Sequence, residues 1–75
     1  MNIEDKVEYL NKLRADMSEE QYRIVAANIL TKYYVDVLHT NSIERNRMYV
    51  LNKVNEVLHH LDIEEVGYSV IRKFL

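Results

Sequence analysis

The sequence predicts an all-α fold of four helices joined by short corners, with the second helix at the centre. Three observations predict it. Among 75 residues there is no proline and one glycine, so the chain lacks the turn chemistry that strands and long loops require. Apolar residues recur at three- and four-residue spacing through each of four segments, the periodicity of a helix with one buried side. Helix-start signals, a Ser, Asn or Asp followed three residues later by Gln or Glu, stand ahead of the last three segments.

The first helix is predicted over residues 3–15. Asn2 can cap it, and Glu4, Asp5 and Glu8 place negative charge near its positive end. Ile3, Val7, Leu10, Leu13 and Met17 make one apolar stripe. Ser18 and Gln21 then have capping-box spacing, and Met17 and Tyr22 are placed to close a hydrophobic staple over them. This fixes the start of the second helix, predicted over 19–39, and makes Ala15 to Ser18 a tight corner. Tyr22, Ala26, Ile29, Leu30, Tyr33, Tyr34, Val37 and Leu38 spread across roughly half of the second helix's girth. Gln21, Asn28, Thr31, Lys32, Asp36 and His39 form its polar side, on which Ile24, Val25 and Val35 intrude. An arc that wide needs neighbours on more than one flank, reached by wrapping or by pairing.

The third helix is predicted over 43–61, capped by Asn41 with Glu44, or by the competing Ser42. Its stripe is Ile43, Val50, Leu51, Val54, Val57, Leu58 and Leu61. Asp62 and Glu65 repeat the capping spacing, with Leu61 and Val66 as a staple, so the fourth helix is predicted over 63–74. Ile63, Val66, Val70, Ile71 and Phe74 share its apolar face. Gly67 falls on that face too, where it costs about 1 kcal/mol of helix propensity relative to alanine. A close crossing with another helix would justify the glycine; an accident in a frayed last helix is the alternative.

One domain of this size buries only about 60% of its unfolded surface and usually needs a supplement to its core. Without cysteine, disulfides and thiolate metal sites are excluded within this sequence. That leaves oligomerisation or close helix packing, and with 48% hydrophobic residues a homodimer is expected. The residues from Met1 to Asp5 open like the cap of a helix, not a secretory leader, and charges interrupt every apolar run well before the ~20 residues of a membrane span. A cytoplasmic protein with no membrane association is expected. Twelve acidic and ten basic side chains give a net charge of −2, which offers no general basic surplus for nucleic acid.

Few residues suggest chemistry. His39, His59 and His60 stand near predicted helix C-termini, where the helix dipole favours a cation. Glu56, His60 and Glu64 follow four-residue spacing, but the boundary at Asp62 divides them, so no metal site is expected. The carboxylates are accounted for by helix starts and solvent faces. No Ser/His/Asp order, phosphate loop or cofactor fingerprint occurs, so neither an enzyme nor a cofactor is predicted. Arg14 and Arg47 lie angularly within apolar stripes. Each either runs its stem over the core with its head in water, or anchors an acidic group of a partner.

Six tyrosines are many for this length. Tyr22 and Tyr33 belong to the core arc of the second helix, whereas Tyr9, Tyr49 and Tyr68, with Met48, fall off the stripes of their helices. Off-stripe Tyr and Met are the composition of a binding face, and Tyr34, Arg47, Met48, Tyr49 and Tyr68 are the candidate partner contacts. The expected function is a small regulatory or adaptor protein that occupies a surface of a protein partner. The alternative is a DNA-binding regulator using the third and fourth helices as a helix-turn-helix-like pair. Arg45, Lys53, Arg72 and Lys73 would then contact nucleic acid, although Glu64 and Glu65 would face phosphates unfavourably. The hexapeptide YLNKLR, Tyr9 to Arg14, resembles the opening of small helical nucleoid-associated modulators, and the last two helices resemble those of small biofilm regulators. Both echoes are of generic amphipathic helix, and nothing is carried over from either.

Overall fold

Ser18 and Gln21 close the predicted capping box. The Gln21 N–H donates to Ser18 Oγ at 3.1 Å, and the Ser18 N–H donates to Gln21 Oε1 at 3.4 Å. In the computed structural model, which describes residues 3–38 and 47–75, that box starts helix α2, Glu19–Leu38. Met17 is half-buried before the cap and Tyr22 is fully buried after it, as a staple requires. Ahead of the corner, α1 spans Ile3–Leu13 and tightens into a 3₁₀ turn over Arg14–Asp16. Helix α3 spans Arg47–His60 and α4 spans Tyr68–Ile71, followed by a second 3₁₀ turn over Arg72–Phe74. The protein is all-α, with no strand among the described residues. The predicted caps at Asn2 and Asn41, and the predicted first turn of the third helix with Ile43, lie outside the described residues.

Helix α2 is central: α1, α3, α4 and the last 3₁₀ turn all pack on it. Leu10 of α1, Tyr22 and Leu30 of α2, Val50, Val54 and Leu58 of α3 and Ile71 of α4 are fully buried together. The polar side read from the sequence needs correction. Ala27 and Thr31 are fully buried, and Val35 packs partly against the core. These three follow Arg23 at four-residue spacing, the side from which Arg23 reaches the segment before α4. Of the intruding apolar residues, Val35 thus belongs to a second row turned towards the C-terminal part of the chain, whereas Ile24 is exposed.

The chief departure from expectation is at residues 63–67, which are not helical. Asp62 has φ of 59°, the left-handed region that ends a helix. The Asp62 N–H donates to the His59 carbonyl at 3.0 Å, and the Ile63 N–H donates to the Leu58 carbonyl at 2.9 Å. This pair of bonds is a Schellman motif, and Ile63 and Leu58 are both buried, as its hydrophobic contact requires. Asp62 therefore terminates α3 instead of capping α4. Gly67 occupies the N-cap position of α4 with extended backbone, is exposed, and would place a Cβ 3.9 Å from the nearest atom, Ser69 Oγ. No close helix crossing explains it.

Because Asp62 carries a side chain in the left-handed region, Asp62→Gly is expected to raise stability by up to about 1 kcal/mol. Asp62→Val, β-branched there, is expected to lower it by about 1–2 kcal/mol. Urea denaturation followed by far-UV circular dichroism checks both signs.

Candidate interaction surface

Helices α1 and α3 both rest on α2 and leave a groove between them. Ile3 and Val7 from α1, Tyr34 from α2 and Val57 from α3 are partly or wholly buried and form its apolar floor. Glu4, Glu8 and Asn11 on one lip and Glu56 and His60 on the other are exposed. The groove is open to solvent and has a volume of about 550 Å³. The groove arises because only Leu10 of the α1 stripe is fully buried, while Ile3 and Val7 are half-covered.

Charge at the lips is negative and lightly screened. Glu8 Oε1 is 3.6 Å from Lys12 Nζ, and Glu56 Oε2 is 3.6 Å from Lys53 Nζ. Exposed pairs of this kind contribute about 0–1 kcal/mol. Tyr34 stands edge-on to Tyr33, with ring centroids 5.1 Å apart at 85°. Burial pushes the Tyr34 phenol above its ordinary value, and Tyr33, Glu56 and Tyr49 add to the rise, so at neutral pH it is an uncharged hydrogen-bonding group beside an apolar floor.

One of the five candidate contacts lines the groove. Tyr34 is in its floor, whereas Tyr49 stands on α3 two turns before Glu56, outside the groove's lining. Tyr49 is 43% exposed and its ring lies 5.7 Å from Lys53 Nζ. Arg47 and Tyr68 are elsewhere and meet each other, the guanidinium lying 5.9 Å from the ring centroid. Met48 faces outward on α3 and is 58% exposed. Of the alternative nucleic-acid contacts, Lys53 is held between Glu56 and Tyr49, Arg72 and Lys73 are exposed on the last 3₁₀ turn, and Arg45 lies outside the described residues.

The wide arc of α2 is sheltered unevenly. Tyr22, Ala26 and Leu30 are fully buried, Tyr33 and Tyr34 are half-buried, and Val37 is 54% exposed. Its uncovered end lines a second cleft with Ile29, Lys6, Lys32 and Asp36, where charges of both signs meet. Wrapping by α1, α3 and α4 therefore accounts for the start and middle of the arc but not for its last turn.

The other residues singled out have structural partners. The Arg14 guanidinium donates to the Leu61 carbonyl at 2.7 Å and to the Glu19 carboxylate at 3.2 Å. His59 Nε2 is 3.8 Å from Glu65 Oε1, with both side chains exposed. Among the described residues, no three His, Asp or Glu side chains are grouped to hold a metal ion, and no helix is long and apolar enough to cross a membrane. Sequence reasoning missed the carboxylates of the groove, because Glu4 and Glu8 were explained by the start of α1 and Glu56 by a solvent face. Their common sign on facing lips was the one available signal, and it needs the α1–α3 pairing to be read. Compared with protein-family models, with curated proteins and with solved structures, the chain gives no match.

Proposed function

We propose that this chain is a small cytoplasmic regulatory or adaptor protein that acts by holding a protein partner in the groove between α1 and α3, as one half of a homodimer. The observation that carries the reading is the groove itself. From Ile3 to Asn11 it runs along nine residues of α1, about 12 Å at a rise of 1.5 Å per residue, which suits about two turns of a partner helix. An apolar floor with polar lips is the anatomy of helix-in-groove recognition. Pairing with a second copy is supported by the small size of the domain and by Val37, Met48 and Tyr49, large apolar side chains left exposed near the end of α2 and the start of α3. Action would come from occupying a surface, without turnover of a substrate.

The helix-turn-helix alternative has less support. Helix α4 has four residues, and Leu61 to Gly67 is longer than the turn such a pair uses. Affinity for duplex DNA that falls steeply with added salt would reinstate it.

The test is affinity capture with the wild-type chain and with Val7→Glu, which puts a charge into the floor at a half-buried position. A partner retained by the first and lost by the second, with the variant still folded by circular dichroism, is the expected result. A partner retained equally by both removes the groove from the reading. Light scattering is expected to give twice the chain mass at high micromolar concentration; a single-chain mass removes the homodimer.

A further inference from the structure

We infer that the occupant of this groove is a basic amphipathic helix of the partner, with Lys or Arg on both sides of its apolar stripe. The inference rests on the docking reading above and adds the chemistry of what docks. Among the described residues neither Lys nor Arg lines the groove, whereas Glu4 and Glu8 stand four residues apart along one lip and Glu56 stands on the other. An apolar helix seated on Ile3, Val7, Tyr34 and Val57 would thus pass between carboxylates on either side. Acidic flanking residues would meet like charge there, and neutral ones would cover the carboxylates without offering them a charge from the partner.

The lysines already present do not remove this field. Lys12 and Lys53 approach Glu8 and Glu56 at 3.6 Å, yet the Lys12, Glu8 and Glu56 side chains are 74%, 69% and 61% exposed, so these pairs exchange readily with water or with an incoming cation. Apolar contact with the floor would supply most of the affinity, and the lips would decide which helices are accepted.

A display library of helical peptides about 16 residues long tests this, with Leu fixed along one stripe and Lys, Glu, Gln or Ser allowed at the flanking positions. Against the wild-type chain, the enriched peptides are expected to carry Lys on both flanks. By fluorescence anisotropy, the best of them should bind at least tenfold more weakly to the triple variant Glu4→Lys, Glu8→Lys, Glu56→Lys, and the triple variant should itself enrich Glu-flanked peptides. All three sites are exposed, and a triple Glu→Gln variant, expected to be intermediate, guards against a folding artefact.

Enrichment of neutral or acidic peptides that still require Val7 overturns the basic-helix inference and leaves the groove as a docking site. No enrichment, or peptides indifferent to Val7→Glu, overturns both. A dimer whose dissociation constant shifts with the triple variant shows the occupant to be a second copy of this chain, and likewise overturns the inference.

Discussion

Replacing Asn55 with leucine is expected to destabilise the protein by about 2–4 kcal/mol, at an unchanged helical fold. The Asn55 side chain treats Val66 as a neighbouring strand would. Val66 N–H donates to Asn55 Oδ1 at 2.8 Å, and Asn55 Nδ2 donates to the Val66 carbonyl at 3.0 Å. Val66 is 4% exposed, so water does not readily replace either bond. Each polar group stranded by the substitution costs about 1–3 kcal/mol, and the added apolar contact of leucine recovers part of that. In a domain of this size the loss corresponds to a fall in Tm of roughly 4–8 °C per kcal/mol. Asn55→Asp keeps the acceptor for the N–H and loses the donor for the carbonyl, so it should fall between wild type and Asn55→Leu. The exposed Asn52, one turn away on α3, is the control: Asn52→Ala should stay within about 0.5 kcal/mol. Equal denaturation midpoints for wild type and Asn55→Leu would mean that this amide does not hold the segment before α4.

That segment also marks where the sequence stopped being legible. Asp62-x-x-Glu65 has the spacing of a helix start, but an Asp in the left-handed conformation can equally end the helix before it. Three side chains decide between the two, and none is near in sequence. Asn55 grips Val66 from 11 residues away, Arg23 donates to the Glu64 and Glu65 carbonyls from 41 and 42, and Arg14 reaches Leu61 from 47. Together they satisfy backbone that a helix would have satisfied internally. A pattern of apolar spacing carries no trace of such bonds. By contrast, the start of α2, the α1 stripe and most of the α3 stripe were readable because capping and periodicity are local. Thr31 failed for the opposite reason: a threonine on a helix reads as polar until another element covers it. The groove was half legible. Tyr34 stands out in the sequence as one of an unusual number of tyrosines, whereas the acidic lips depend on α1 and α3 both resting on α2, which no single helix reveals.

The second large effect is expected at Arg14, where alanine should cost about 2–3 kcal/mol and lysine should recover less than half of it. Two readings of this residue were open, a stem laid over the core or an anchor for a partner, and the contacts favour a third. The guanidinium ties three parts of the chain together. One nitrogen donates to the Leu61 carbonyl at 2.7 Å, at the C-terminal end of α3 where the helix dipole favours a cation. Nε and the other terminal nitrogen reach Glu19 at 3.2–3.4 Å, and the group lies 5.2 Å from the Tyr22 ring centroid. Leu61 is 5% exposed, so its bond is the sheltered one, while the Glu19 side chain is 70% exposed and its pair contributes little. Glu19→Gln should therefore change stability by less than about 0.5 kcal/mol. The Arg14→Ala loss should persist in about 0.5 M salt, where screening over a few ångströms would erase a purely exterior ion pair. Lysine fails because one ammonium cannot reproduce a planar fork that meets a carbonyl, a carboxylate and a ring face at once. If Arg14→Ala instead cost nothing, or its cost disappeared in salt, the residue would be free of the core and available to a partner after all.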